Sequence, residues 1–423
     1  MDQATSDRNP SRGDIKKQEV LDAWFQVKHN GGTYGIDKVS IAKFETKIKQ
    51  NLYKIWNRMN AGSYFPPKVR RVEIPKPDGG KRPLGIPTIG DRIAQTVVRN
   101  RLEPLLEPRF VSDSYGCRPG KSALEAVDKN RRRCWKYAWG IDLDIKGFFD
   151  NIPHDLLIRA LEHCGIDKRM LRYCERWLKA PVQLPDGTIE ERTKGTPQGG
   201  VISPLLANLF LHYALDRWLQ EHHPDIEFER YVDDVILHCE NQAQAENLLK
   251  ELQQRMAQCG LELHPRKTKI FYCKDGWKTG KHKGTSFDFL GFTFCPRQAV
   301  TRVGRRRFLG YNPAISRKSR KKIAKRGKEI RKHVRPDMEL HEVAEMSNPI
   351  LRGWVNYYGA FYPSHLRKAL VRSFDDNVLA WWARKKYKKL GSRRKARRWI
   401  QYIRGKYGDL FAHWHVLEAK MGQ

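Results

Sequence analysis

The 423-residue sequence predicts an α+β fold built on an antiparallel sheet, and three observations predict it. Phe228-Glu-Arg-Tyr-Val-Asp-Asp-Val-Ile-Leu-His-Cys239 reads as a strand, a two-residue turn and a second strand, because β-forming residues flank an acidic pair. Ile141, Leu143 and Ile145 alternate with Asp142 and Asp144, the period of a half-buried strand. Ile41, Phe44, Ile48, Leu52, Ile55 and Met59 recur at steps of three and four behind Ser40, the spacing of an amphipathic helix with its N-cap.

Taken in order, residues 1–16 are polar and have little to bury, so they are expected to be poorly ordered. Residues 17–63 read as helices. Residues 64–300 mix strands and helices. Within them Gly199-Gly200 lets backbone approach a ligand closely, and a helix starts at Ser203-Pro204 and keeps helical spacing from Leu205 to Leu219. After strands near Phe287–Phe294 and Arg307–Tyr311 the chain turns helical again, with breaks near Val334-Arg-Pro336, Tyr362-Pro363 and Gly391-Ser392. The expected division is 1–63, 64–300 and 301–423. No internal repeat is present, and the one compositional bias is the Lys/Arg run of 317–332.

The formal charge of +34 is uneven, since residues 301–423 hold 32 Lys and Arg against 9 Asp and Glu. Aromatics interleave with them (Tyr311, Trp354, Tyr357, Tyr358, Trp381, Trp382, Tyr387, Trp399), several of which are expected in the core. A basic surface with aromatic faces suits a polyanion such as nucleic acid. Eight cysteines include no C-x-x-C pair and are expected to be reduced and mostly buried. No apolar run approaches the roughly 18 residues of a membrane span, so no membrane role and a cytosolic location are expected.

Chemistry concentrates on the acidic pair. Asp233 and Asp234 repel at a hairpin tip unless cations neutralise them. Hard divalent cations take oxygen ligands, and Mg²⁺ pairs one or two carboxylates with substrate phosphates. Asp144, at the end of its own strand, would complete three carboxylates suited to two cations about 3.5–4 Å apart. The plainer alternative is a solvated turn beside the polar face of a strand. Gly116-Cys-Arg-Pro-Gly-Lys-Ser122 imitates a phosphate-binding P-loop, but its glycines stand one residue too close. His222, His223, His413 and His415 lack partners at metal-ligand spacing.

Eight ordered motifs, together with those carboxylates, resemble the reverse transcriptases, and among them the group II intron-encoded and group II-like bacterial enzymes. They are Gly31-Gly-Thr-Tyr-Gly-Ile-Asp37, Val72-Glu-Ile-Pro-Lys-Pro-Asp-Gly-Gly-Lys-Arg-Pro-Leu-Gly-Ile-Pro-Thr88, Tyr115-Gly-Cys-Arg-Pro-Gly-Lys-Ser122 and Asp144 to Asp150. Pro197-Gln-Gly-Gly200, Tyr231 to Asp234, Leu261-Glu-Leu-His-Pro-Arg-Lys-Thr-Lys269 and Phe289-Leu-Gly-Phe292 complete the series. Asn348-Pro-Ile-Leu-Arg-Gly-Trp-Val-Asn-Tyr-Tyr358 resembles the maturase, or X, domain that serves as thumb.

The resemblance implies a right-hand polymerase. Residues 1–63 would be an N-terminal extension, 64–300 fingers and an antiparallel-sheet palm, and 301–423 a helical thumb. It implies an RNA-directed DNA polymerase that extends a primer 3′-hydroxyl with dNTPs. Asp144, Asp233 and Asp234 would be catalytic and would hold two Mg²⁺, with the Ile145 carbonyl as a further ligand and Mn²⁺ able to substitute. Lys76, Arg82, Phe149 and Gln198 would contact the dNTP, Phe149 by clashing with a ribose 2′-hydroxyl, a role for which Phe148 competes. Tyr231, Val232, Arg118, Lys121, Lys267 and Lys269 are candidates for the primer end or template.

Expected partners are an RNA or DNA template with a DNA or RNA primer, and intron RNA; a homodimer is compatible. Val232 departs from the alanine of many relatives, and its side chain is expected either to face the primer terminus or to pack inward. The sequence ends at Gln423 without a Cys-rich endonuclease region. Three roles stay open: an intron-encoded enzyme with maturase activity, a host-recruited enzyme of DNA repair, and a non-catalytic splicing factor. Retention of all three carboxylates disfavours the last.

Overall fold

A computed structural model describes residues 14–75, 80–301 and 306–415. The chain opens with helices α1 (Lys17–Asn30), α2 (Ile41–Glu45) and α3 (Ile48–Asn60), followed by strands β1 (Val69–Pro75) and β2 (Lys81–Ile86). Helices α4 (Ile89–Leu106) and α5 (Ala123–Lys136) lead to β3 (Trp139–Asp144). Next come α6 (Phe148–Asn151), α7 (His154–His163), α8 (Lys168–Leu178) and the short β4 (Val182–Gln183) and β5 (Ile189–Glu190). Helix α9 (Ser203–Leu211) runs through a π-helical turn, His212–Asp216, into α10 (Arg217–His222).

The hairpin β6 (Phe228–Tyr231) and β7 (Asp234–Cys239), helix α11 (Gln242–Gln258) and strand β8 (Lys269–Tyr272) follow. Strands β9 (Phe287–Phe289), β10 (Phe292–Val300) and β11 (Arg307–Ile315) precede the last helices. These are α12 (Arg317–His333), α13 (Leu340–Tyr358), α14 (Pro363–Leu370), a π-helical stretch Val371–Leu379, α15 (Ala380–Lys386) and α16 (Arg393–Lys406).

Three sheets result: β2-β1-β4-β5, β6-β7-β3-β8 and β11-β10-β9. The second is antiparallel throughout. Its period of two divides the side chains as the sequence predicts. Ile141, Leu143, Val235 and Leu237 enter the largest core with Trp24, Met59, Ile93 and Leu252. Ile236 and Phe271 face a second cluster containing Val127, Phe292 and Tyr311. Ile323, Leu351, Phe374, Trp382 and Trp414 form a separate helical core.

Ser40 caps α2 by accepting from Lys43 N. The apolar periodicity from Ile41 to Met59 continues, but the helix divides between Glu45 and Ile48. The expected boundary at residue 300 falls inside the β10–β11 hairpin, whose pairing runs from Phe292↔Ile315 to Val300↔Arg307. The expected helix breaks fall at helix ends: 334–336 and 391–392 lie between helices, and Tyr362 precedes α14, which opens on Pro363. Tyr311 and Trp382 are core residues, whereas Tyr387 keeps an exposed face. All eight cysteines are free thiols and six are buried. No helix among the described residues is long and apolar enough to cross a membrane.

Candidate active site

The antiparallel pairing of β3 with β7 sets Asp144 directly opposite Asp234. The β6–β7 turn between Tyr231 and Asp234 contains only Val232 and Asp233. Asp144 therefore ends one strand where Asp234 begins the next, with Asp233 in the turn beside them. Asp142, two residues back on the same face as Asp144, pairs with Ile236 on one side and Lys269 on the other. The end of β3 is fixed from below: His264 N donates to the Asp144 carbonyl at 2.8 Å, and Thr268 Oγ1 donates to it at 3.3 Å. Ile145, the next residue, forms a bridge with Leu263.

The carboxylates sense one another. Burial, followed by the charges of Asp234 and Asp144, pushes Asp142 up to about 7. Asp234 keeps an exposed edge, yet loss of water and then Asp233 and Asp144 push it up to about 6, against the pull of Lys267 and Arg82. Asp233 is raised as well, by burial first and also by Asp144. Lys267 reaches the site, its Nζ 3.4 Å from Asp144 Oδ2.

Acids held above their ordinary range by burial first and by neighbouring carboxylates second are a donor set that a divalent cation suits. Among the described residues no group of three acidic, His or Cys side chains already converges on one metal position. Carboxylates paired across the β3–β7 register are oxygen donors of the kind hard cations take together with water and phosphate oxygens.

Arg82 and Gln198 lie at this edge. Arg82 Nε donates to Gln198 Oε1 at 3.1 Å, and the Gln198 carbonyl accepts from Gly85 N at 2.7 Å. Gly199 follows at φ +116°, and a Cβ there would lie 2.5 Å from the Gly85 carbonyl oxygen. The close approach expected at the glycine pair is thus strand against loop, Gly85 against Gly199. From behind, Gln95 Oε1 accepts from Val201 N at 2.7 Å, and Gln95 itself donates to buried Asp91. Asp91 also accepts from Tyr64 and Trp177.

Phe148 is a core residue against Phe210, whereas Phe149 is only partly buried. Tyr231 is partly exposed, while Val232 is buried. Val232 N and Cγ2 lie against Gly116, where a Cβ would meet them at 2.5 and 2.6 Å.

Two candidates are committed elsewhere. The Arg118 guanidinium grips Glu107 through two nitrogens and donates to the Val111 and Ser114 carbonyls, so most of its donors have partners nearby in the chain. Lys121 Nζ donates to the Ser112 carbonyl from the surface. Lys269 lies exposed beside Asp142. Lys76 lies outside the described residues. Of the histidines set aside, His413 is buried on Asp375 and His223 faces Glu251.

Gln95, Asn208, Asp216 and Arg230 also hold this region in place, though no motif marks them in the sequence. Their signal was faint: single polar residues inside apolar helix or strand patterns.

Residues 74–294 match the family described as Reverse transcriptase (RNA-dependent DNA polymerase). Residues 320–402 match the Group II intron, maturase-specific domain. Protein YkfC of Escherichia coli K12 is 30% identical over 283 residues, covering 58% of this chain and 74% of that protein. The group II intron-encoded protein LtrA of Lactococcus lactis is 41% identical over 176 residues, covering 41% of this chain and 28% of LtrA. A putative COX1/OXI3 intron 1 protein of Saccharomyces cerevisiae is 33% identical over 171 residues, 40% of this chain and 20% of its own length. The antiparallel sheet that carries the carboxylates lies within the matched region, and the chain belongs to the reverse transcriptase family, its reverse transcriptase region followed by a group II intron maturase-specific domain.

Proposed function

We propose that this chain extends a primer 3′-hydroxyl with dNTPs on an RNA template, using Asp144, Asp233 and Asp234 as ligands of two divalent cations. The observation that carries this reading is the register of β3 on β7, which sets Asp144 opposite Asp234 with Asp233 in the adjoining turn. When bound, Mg²⁺, or Mn²⁺ in its place, would activate the attacking hydroxyl and stabilise the leaving oxygen. The Ile145 backbone follows Asp144 and is the further ligand in this reading.

The remaining work falls to the chain's own groups. Arg82, together with Lys76, neutralises the triphosphate. Gln198, already fixed by Arg82 and Gly85, orients the nucleotide. Phe149 occupies the space a ribose 2′-hydroxyl would need. Lys267, beside Asp144, balances charge at the primer end, with Lys269 next to Asp142 in a supporting position. The maturase-specific domain and its basic helices favour intron RNA as a further partner.

Primer extension on an RNA template with Mg²⁺ tests the reading. Asp233→Asn should leave the fold intact and lower nucleotide addition on the order of a hundredfold or more, since a charged ligand is lost. Activity within a few-fold of the parent would sink the assignment.

A further inference from the structure

The turn that carries the catalytic pair is held in a conformation its own sequence disfavours. Val232 sits at φ +59°, while Asp233 is not in the positive-φ region. A single positive φ at the first central residue is the pattern of a type II′ hairpin turn, where glycine is the usual occupant. A β-branched residue there is strained, and such strain persists only where the surroundings over-determine it.

The surroundings are a closed set of polar contacts beneath the turn. Arg230 Nη1 donates to the Val232 carbonyl at 3.1 Å and to Asn208 Oδ1 at 2.8 Å. Its Nε and Nη2 donate to the two Asp216 oxygens at 2.8 and 2.6 Å. Asn208 Nδ2 donates to the Gly116 carbonyl at 2.7 Å, and Gly116 is the residue pressed against Val232 N. Arg230, Asp216 and Asn208 are all 0% exposed. The Arg230 backbone is pinned as well, its N donating to the Asp113 carbonyl and its own carbonyl accepting from Tyr115 N. Asp216 comes from the end of the π-helical turn His212–Asp216, a local widening often found at functional sites.

Stability alone does not account for this arrangement. A fully buried Arg–Asp pair is commonly matched or bettered by apolar side chains of similar volume, because desolvation offsets the attraction. Apolar side chains, however, could not hold a carbonyl. We propose that Arg230 is a positioning residue for nucleotide addition: oriented by Asp216 and Asn208, it grips the Val232 carbonyl and so keeps the Val232–Asp233 turn in its metal-ligating shape. The inference rests on the reading of Asp233 and Asp234 as metal ligands.

Two variants test it. The double variant Arg230→Met, Asp216→Leu removes both charges and keeps the volume, so it should melt close to the parent. Arg230→Lys keeps a charge opposite Asp216, but a compact ammonium has three donors at one point and cannot reproduce the four contacts that the guanidinium spreads over Asp216, Asn208 and the Val232 carbonyl. In both, kcat for single-nucleotide addition should fall by at least about tenfold while primer–template affinity stays within about twofold, because a misplaced ligand affects the reacting geometry rather than the duplex. Mn²⁺ binding to the protein alone, followed by electron paramagnetic resonance, should weaken in parallel.

A folded double variant with parental kcat and Mn²⁺ affinity overturns the inference. So does equal loss of kcat and primer–template affinity in both variants, matched by the buried-core control Leu211→Ala. If the double variant does not fold, Arg230→Lys, assayed where its circular dichroism is native, decides by the same two readouts. If the parent itself adds no nucleotide with Mg²⁺ or Mn²⁺, the polymerase reading fails, and the Mn²⁺ titration still decides the role of Arg230 in shaping the turn.

Discussion

Asp142, Asp234 and Asp233 are held above the usual carboxylate range, by burial first and then by neighbouring carboxylates, Asp144 among them in each case. In the unfolded chain such groups titrate near 4. Between that value and about 6 or 7 the folded protein therefore binds more protons than the unfolded one, and these groups lower its stability as pH rises through the window. Without metal, Asp234→Asn should thus raise the melting temperature at pH 8 by about 1–2 °C, corresponding to about 1 kcal/mol once the exposed edge is discounted for solvent screening. The gain should vanish by pH 4, where the parent carboxyl is already protonated. Thermal melts in EDTA at the two pH values make the measurement, and a variant that melts lower at pH 8 would rule out repulsion as the source. The same variant should lose primer extension, so stability and activity move in opposite directions. Phe149 allows a second single-residue test. Shortening it to Val should raise the ratio of ribonucleotide to deoxyribonucleotide incorporation, and an unchanged ratio would remove it from sugar selection, since Phe148 is already spent in the core.

The loop from Pro197 to Gly200 is a local element whose shape depends on one atom's absence. Gly199 combines φ +116° with a neighbouring carbonyl oxygen only 2.5 Å from where a Cβ would stand. Gly199→Ala should displace the loop from β2, break the Gly85 N–Gln198 O contact and raise the KM for dNTP by about tenfold or more while primer–template affinity holds. Steady-state kinetics at saturating primer–template separate the two, and an unaltered KM would show that Gln198 is held by other means. This element was legible in the sequence because glycine pairs and helix starts are local signals. So was the carboxylate hairpin, where alternation fixes strand faces and the acid pair marks the turn. The contacts that hold both elements were not legible. Gln95 lies 106 residues from Val201, and Arg230 reaches Asn208 and Asp216 across 22 and 14 residues. Such partners meet only after the helices pack, and in sequence each is one polar residue within an apolar pattern. Arg118 shows the converse: its motif suggested a substrate contact, and the fold gives its guanidinium Glu107 and two carbonyls as local partners.

Across the whole molecule, charge is distributed by role. The sheet β6-β7-β3-β8 gathers acids at one edge, while residues 301–423 carry 32 Lys and Arg against 9 acids. Helix α12 concentrates that excess on its outer face. Ser319, Ile323, Gly327 and Ile330 are buried at steps of three and four, which leaves Lys318, Lys321, Lys322, Lys325 and Lys328 exposed. The helix is tied to the palm at its first turn. Ser319 Oγ and Ser316 N both donate to the Gly291 carbonyl, and Tyr357 Oη donates to the Leu290 carbonyl of the same β9–β10 turn. Leu290 and Tyr357 pack on the cluster that Tyr231 also joins, so the turn that anchors α12 and the carboxylate hairpin meet in one cluster. A duplex seated on the carboxylates would then meet α12 in a fixed relation to them. Reversing Lys321, Lys325 and Lys328 to Glu leaves the buried face untouched, so the fold should persist. If each contacts a phosphate, the log–log salt dependence of duplex affinity should lose about 0.9 per contact, near 2.7 for all three on duplex DNA. Affinity should fall most at low salt and converge with the parent at high salt, because the counterion-release contribution is what has been removed. A uniform loss of affinity at unchanged slope would instead mean that the reversals disturbed the joint with the palm and that the phosphates are met elsewhere.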